Sequence, residues 1–252
     1  SPDHIERHKT VKRYVKSKFR LLQNQSKKNF AFVKKNDFLI SKELKINRFV
    51  CKITKVDTKK KNKFLNEIDN KYFSSETNQE NLLFVLEISK KFKLKNSLLI
   101  ETVKKFTGLK YRQQVILRRK NLTVINDSKS TSFSSSLSQL KSNDKIYWLL
   151  GGIHKKGDKF NLPRKYFKNI EAYVYGKNRQ FFNKKLKNKI NFKNFDSLKN
   201  AFKQILLIIK KEKFIHKTIL FSPSAASFDT FRNFEDRGLY FNKLIKKYQN
   251  AL

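Results

Sequence analysis

Cysteine occurs once in this 252-residue sequence, as Cys51, and methionine does not occur at all. A single cysteine excludes any disulfide within the chain, which fits a reducing compartment. Cys51 lies in the strand-like run Arg48-Phe-Val-Cys-Lys-Ile-Thr54, where a small buried side chain is expected rather than a reactive thiol. The missing methionine includes the initiator, so the chain is expected to be a processed or truncated piece. Glycine and proline are scarce, at 6 and 3. That leaves little material for long loops and puts most of the chain in regular elements. No apolar run approaches the roughly 18 residues needed to span a bilayer. The best candidate, Ile205-Leu-Leu-Ile-Ile209, is short and flanked by Lys, so it reads as part of a core helix. No signal-peptide pattern opens the sequence, and a cytoplasmic protein is expected.

Acidic residues are also few: 20 Asp and Glu stand against 59 Lys and Arg, a net charge of +39. Such an excess suits a nucleic-acid binder, because clustered Lys neutralises phosphates and releases counterions. The competing reading is compositional drift. Lys, Asn, Phe and Ile are all abundant, as in a gene rich in A and T, and Lys is scattered along the whole chain rather than gathered in a tail. Drift is preferred here, since bulk charge bears on solubility and non-specific association rather than on fold. What the chain does hold is large apolar side chains, with 24 Phe, 9 Tyr and an apolar fraction of 38%. That is enough for a core and excludes wholesale disorder.

Periodicity divides the chain. The segment up to about Leu22 reads as a helix, with Tyr14, Lys18 and Leu22 at i, i+4 spacing. Strands are expected at 29–33 and 49–53, separated by a polar turn region. Helices follow over 78–92 and 98–106, the second stopping at Gly108 as a C-cap. Beyond Arg112 short apolar strands (115–117, 122–125, 146–150, 172–175, 218–221) alternate with amphipathic helices (133–140, 180–186, 198–209, 241–248). This alternation predicts a mostly parallel sheet with helices on both faces. The Ser-rich run 128–138 sits between a strand and a helical pattern, so it is expected to cap that helix.

Three polar blocks directly follow strands: Asn126-Asp-Ser-Lys-Ser-Thr131, Gly151-Gly152 with Lys155, and Ser222-Pro-Ser-Ala-Ala-Ser-Phe-Asp229. Ligands of open α/β sheets gather at the C-terminal ends of strands. The blocks present hydroxyls, backbone N–H groups and two Lys there, which suits an anionic small molecule.

The blocks NDSKST (126–131), LLGGIHKKGD (149–158) and LFSPSAASFDTFRNFEDRG (220–238) closely resemble the last domain of the Mur ligase family, most like the branch that adds D-glutamate. Upstream, SPDHIERH (1–8) with Tyr14 and Lys18, TNQEN (77–81) and GLKYR (108–112) resemble segments of the family's central domain and hinge, in the family's order. The resemblance implies an α/β chain in which 1–112 is part of the central ATPase domain, lacking its P-loop half. Residues 113–252 would form a Rossmann-like α/β C-terminal domain. It implies an ATP- and Mg-dependent ligase joining D-glutamate to UDP-N-acetylmuramoyl-L-alanine through an acyl phosphate in peptidoglycan biosynthesis, an activity expected of a longer parent because these residues contain no P-loop or UDP-binding domain. It casts His4 and a carbamylated Lys18 as Mg²⁺ ligands and catalytic groups. Asn78 and Asn81 are cast near adenine, Arg112 at the ATP phosphates and Asp127 at the ribose. Lys129, Thr131, Lys155, Ser227 and Phe234 are cast around D-glutamate. Without the resemblance, Asn78 and Asn81 read as a helix N-cap and a first-turn amide, Lys18 as a solvated lysine and Phe234 as core.

The sequence departs from the family pattern at Thr77 and Tyr111, where histidines are usual, and at His154, where aspartate is common. A monomer with no membrane segment and no specific nucleic-acid partner is expected. The alternatives are a basic nucleic-acid-binding module, another peptidoglycan or folylpolyglutamate branch of the family, and a degenerate inactive fragment.

Overall fold

In the computed structural model, which describes residues 8–59, 65, 67–142, 144–212 and 216–252, the chain forms two units, Ser1–Phe106 and Thr107–Leu252. The division falls a few residues ahead of 112. Residues 107–112 go with the second unit because the Lys129 amide donates to the Tyr111 carbonyl at 3.0 Å and the Gln113 amide donates to the Asp127 carboxylate at 3.1 Å.

The first unit opens on α1 (Val11–Gln23), whose N-cap Thr10 accepts from the Arg13 amide. Strands β1 (Phe30–Lys34) and β2 (Lys52–Val56) pair in parallel. The region between them, expected as a polar turn, is helix α2 (Phe38–Ile46), N-capped by Asp37. Parallel neighbours need a crossover and cannot be joined by a tight turn, so a helix is required there. Helices α3 (Glu76–Lys91) and α4 (Asn96–Lys105) follow. Leu82, Leu83 and Leu86 of α3 bury against Leu99 and Val103 of α4 and against Val56. Helix α4 ends earlier than its expected glycine stop. The Asn70 side-chain amide donates to the carbonyls of Val103 and Phe106, each at 2.8 Å, and satisfies the last turn before Gly108 is reached.

The second unit runs β3 (Gln114–Arg119), β4 (Leu122–Asn126), α5 (Phe133–Leu140), β5 (Lys145–Gly151), β6 (Ile170–Tyr175), α6 (Arg179–Leu186), β7 (Asn191–Phe195), α7 (Leu198–Ile209), β8 (Lys217–Phe221) and α8 (Phe234–Lys247). Its sheet has the order β3-β4-β8-β5-β6-β7, with β3 antiparallel to β4 and the remaining pairs parallel. Strand β7 was not expected. It is an edge strand with the sequence NFKNF, half-exposed, so it carries neither a full apolar run nor clean alternation.

Alternation along the central strands sorts the core into two layers. Tyr147, Leu149, Tyr173 and Ile219 face α7 and α8, while Ile146, Trp148, Leu150 and Leu220 face α5 and α6. Trp148 is fully buried and donates its indole N–H to the Ser222 carbonyl at 2.8 Å. This ties the core directly to the loop leaving β8.

Helix α8 begins two turns before the expected residue 241, because Arg237 and Gly238 occupy its inward face where apolar residues would have signalled a helix. Gly238 lies under the Tyr111 ring, which occupies the space a Cβ would need. In an ordinary helix, Gly to Ala stabilises by about 1 kcal/mol. Here Gly238→Ala is expected to destabilise by roughly 1–3 kcal/mol through overpacking, measured by urea unfolding. A stabilised variant would show that Tyr111 is not seated on the helix.

Candidate functional site

Strands β4, β8 and β5 are adjacent and parallel, so their C-terminal ends lie side by side and the three polar blocks leave the sheet together. The chain goes from β4 and β5 toward the α5/α6 layer and from β8 toward the α7/α8 layer. Neighbouring strands whose connections part in this way open a crevice at their carboxyl ends.

Backbone bonds join the blocks. The Asp127 amide donates to the Phe221 carbonyl at 2.7 Å, and the Gly151 amide to the Pro223 carbonyl at 3.1 Å. Ile153 and Ala226 exchange two N–H···O bonds, both 2.9 Å, linking the Lys155 loop to the Ser227 loop. Arg237, from the first turns of α8, is 1% exposed. Its guanidinium donates to the Ser128 carbonyl (2.8 Å), the Ser128 hydroxyl (3.1 Å) and the Ala225 carbonyl (2.9 Å). Burial lowers its proton affinity, and the nearby Tyr175 and Asp229 oppose that shift. The Tyr175 hydroxyl faces the guanidinium, and each group opposes the shift that burial imposes on the other.

Hydroxyls fill the space between the blocks. Ser136 of α5 lies 2.7 Å from Ser222, 2.6 Å from Ser224 and 2.7 Å from Ser130. Ser222 donates to the Asp127 carboxylate at 3.0 Å. The Ser-rich run is thus helix start and buried network together, and Ser132 donates its amide to Ser135 Oγ at 3.2 Å.

The expected site residues fall into three groups. The first is gathered at this edge. Lys129 places its ammonium 3.8 Å from the centre of the Phe234 ring, Ser227 is buried, and Thr131 and Lys155 are half-buried on their loops. Asp127 is 5% exposed and already accepts from Gln113 and Ser222. Arg112 is exposed near it, between Tyr111 and Gln113, both at positive φ (62° and 49°). Two non-glycine residues in the left-handed region cost energy that the bonds to Lys129, Gln114 and Asp127 offset.

The second group lies in the first unit. Lys18 is exposed on α1 with its ammonium 5.5 Å from the Tyr14 ring centre. Asn81 is exposed. Asn78 is not the N-cap: Ser75 caps α3, and the buried Asn78 donates its side-chain amide to the Tyr72 carbonyl at 2.7 Å. The third group is His4, which lies outside the described residues. Among the described residues no three His, Cys, Asp or Glu gather as a metal site.

Sequence reasoning missed Arg237 and Asp158. Arg237 had a legible signal, since it stands at i, i+4, i+7 with Phe241 and Leu244 on the buried stripe of α8. His154, the departure from the family pattern, is stacked on Phe181 with ring centres 3.8 Å apart.

Residues 1–100 match the Mur ligase middle domain. UDP-N-acetylmuramoylalanine–D-glutamate ligases of Rickettsia felis and Rickettsia prowazekii are 29% and 31% identical over 265 residues, covering 98% of this chain and 59% and 60% of those proteins. UDP-N-acetylmuramate-alanine ligase MurC of Thermotoga maritima superposes with a TM-score of 0.45 at 15% identity, over 71% of this chain and 39% of that one. Similarity to Mur ligases thus runs along nearly the whole chain. The relatives matched over nearly the whole chain carry the D-glutamate ligase name, and the chain spans about three-fifths of their length.

Burial pushes the Asp127 carboxyl from 3.8 up to about 7, against the Gln113 and Ser222 hydrogen bonds and the Arg112 charge. The folded chain therefore holds this proton more tightly than the unfolded chain. The group's contribution to stability is greatest below 3.8 and is lost as pH rises to about 7. Asp127→Asn is expected to be more stable than the parent at about pH 8 and little different at about pH 4, by urea unfolding. Equal stabilities at both pH values would contradict a buried, proton-holding Asp127.

Proposed function

We propose that this chain carries the amino-acid-binding part of an ATP-dependent ligase that joins D-glutamate to UDP-N-acetylmuramoyl-L-alanine in peptidoglycan biosynthesis, acting as a cytoplasmic monomer with no specific nucleic-acid partner. The observation that supports it best is the stapling of the Lys129, Lys155 and Ser227 loops at three neighbouring strand ends. D-glutamate carries two carboxylates and an amine. Two cations and hydroxyls on converging loops match the carboxylates, and charge-assisted bonds make that recognition strong.

In this reading Lys129 and Lys155 hold the two carboxylates while Thr131 and Ser227 supply hydroxyls. Phe234 fixes the Lys129 ammonium by cation–π attraction. Arg112 reaches the ATP phosphates, Asp127 the ribose, and Asn78 and Asn81 the adenine. His4 and a carbamylated Lys18 would hold Mg²⁺. An exposed amine at Lys18 can be reached by CO₂, and Mg²⁺ keeps several waters and phosphate oxygens, so two protein ligands suffice. ATP supplies the phosphoryl group that turns the substrate carboxylate into an acyl phosphate, and ADP leaves. The D-glutamate amine then attacks the carbonyl carbon, the C–O bond to phosphate breaks, and the amine proton passes to solvent. The protein contributes position and charge stabilisation.

Phosphate release by the full-length protein, with and without D-glutamate, tests the proposal. Release should require D-glutamate, and Lys155→Ala should raise the KM for D-glutamate by about tenfold to a hundredfold, the worth of one charge-assisted bond. Turnover indifferent to D-glutamate would remove the assignment.

A further inference from the structure

We infer that Asp158 is a positioning residue: its carboxylate clips the Lys155 loop to the N-terminus of α5, so that Lys155 is presented beside Thr131. What Lys155 binds rests on the ligase reading above, while the clip itself rests on geometry alone.

Asp158 Oδ2 accepts from the Phe133 amide at 2.7 Å. Phe133 is the first residue of α5, and its N–H is one of the four donors that no intrahelical carbonyl can satisfy. The local residues do not take this donor. Ser132, the N-cap, turns its amide and hydroxyl toward Ser135. The acceptor comes instead from a loop 25 residues further along the chain. A carboxylate at a helix N-terminus is favoured by both the hydrogen bond and the helix dipole. The contact is therefore a tertiary link, made in the same turn of chain that follows Thr131.

Asp158 and Lys155 are the two ends of one tight turn. The Asp158 amide donates to the Lys155 carbonyl at 3.2 Å, with Gly157 at φ +79° in the third position. That is the signature of a turn needing a left-handed residue before its last position. Fixing Asp158 therefore fixes the Lys155 backbone. The other end of the loop is already held, because Ile153 is paired to Ala226 beside Ser227. Without Asp158 the loop would be held only at Ile153 and at the buried Phe160, two residues past the turn, and Lys155 between them would lose its register with Thr131. The Asp158 carboxyl is half-buried, and the Lys155 and Lys185 cations face it.

The test compares Asp158→Ala, which removes the acceptor, with Asp158→Asn, whose carbonyl oxygen still accepts from Phe133. In the full-length ligase, the Ala variant should raise the KM for D-glutamate about tenfold, with little change in kcat or in the KM for ATP. The Asn variant should restore it to within about twofold. Amide exchange on the present chain gives a second readout. The Phe133 and Asp158 amides should exchange faster in the Ala variant and as in the parent in the Asn variant, while the Ile153 amide keeps its protection. An unchanged D-glutamate KM in the Ala variant, a parallel rise in the KM of every substrate, an Asn variant as impaired as Ala, or unaltered Phe133 exchange would each overturn the inference. A parent protein whose turnover ignores D-glutamate removes the ligase reading instead, and amide exchange then decides the clip by itself.

Discussion

The edge of the second unit where β4, β8 and β5 end depends on one buried cation. Arg237 gives up nearly all its hydration, and taking a charge out of water costs several kcal/mol unless partners replace the lost bonds. The replacements are two carbonyls and a hydroxyl, from Ser128 after β4 and Ala225 after β8. Since Gly152, after β5, leaves room beside the same guanidinium, three strand ends close around one side chain. A Cβ at Gly152 would press on Nη1 of Arg237 and on the Ala226 carbonyl, so glycine is needed there for space as well as for its φ of +127°. A lysine could not do this work, because one ammonium cannot present a planar fork to acceptors on two different loops.

The serine network follows from the same closure. Strand ends brought this near leave buried space lined with polar backbone. Ser130, Ser136, Ser222 and Ser224 fill it with groups that both donate and accept. The network ends on Asp127, whose proton affinity is raised because burial outweighs its two hydrogen bonds. A carboxyl kept in so unfavourable a place is a stability cost that local packing does not require. Such costs gather at functional sites.

Much of this was legible in the sequence, and the illegible part has a physical pattern. The central strands declared themselves as apolar runs, and the three site blocks as polar breaks directly after them. What did not show were features made by partners distant in the chain. Asp158 was not singled out, because its partner amide belongs to Phe133, in another block. Arg237 was not singled out either, although its spacing with Phe241 and Leu244 places it on the buried stripe. Helix α2 was missed because the parallel pairing of β1 and β2, which demands a crossover, is a fact of three dimensions. Strand β7 was missed because its edge position leaves no one-dimensional pattern. The His154 departure is explained by its stacking on Phe181, which gives that side chain a packing role on α6.

The charge of the chain then takes on a definite meaning. With 59 Lys and Arg present, cationic charge alone cannot mark a binding site, since most of it is solvated and screened beyond about 10 Å. Cation–π contact alone cannot either, because Lys91 lies 3.7 Å from the Phe30 ring centre in the first unit. Lys129 and Lys155 differ from most of these lysines in standing on loops at the strand ends that are themselves tied down. Lys129 donates its amide to the Tyr111 carbonyl and rests its ammonium on Phe234. Lys155 closes a turn whose far end is bonded to α5. A free lysine loses up to about 2 kcal/mol of side-chain entropy when it is fixed on a ligand. At Lys129, whose ammonium rests on Phe234, part of that loss has already been taken up by folding. Among so many cations, a lysine already held still by folding is the one that loses least entropy on fixing an anion.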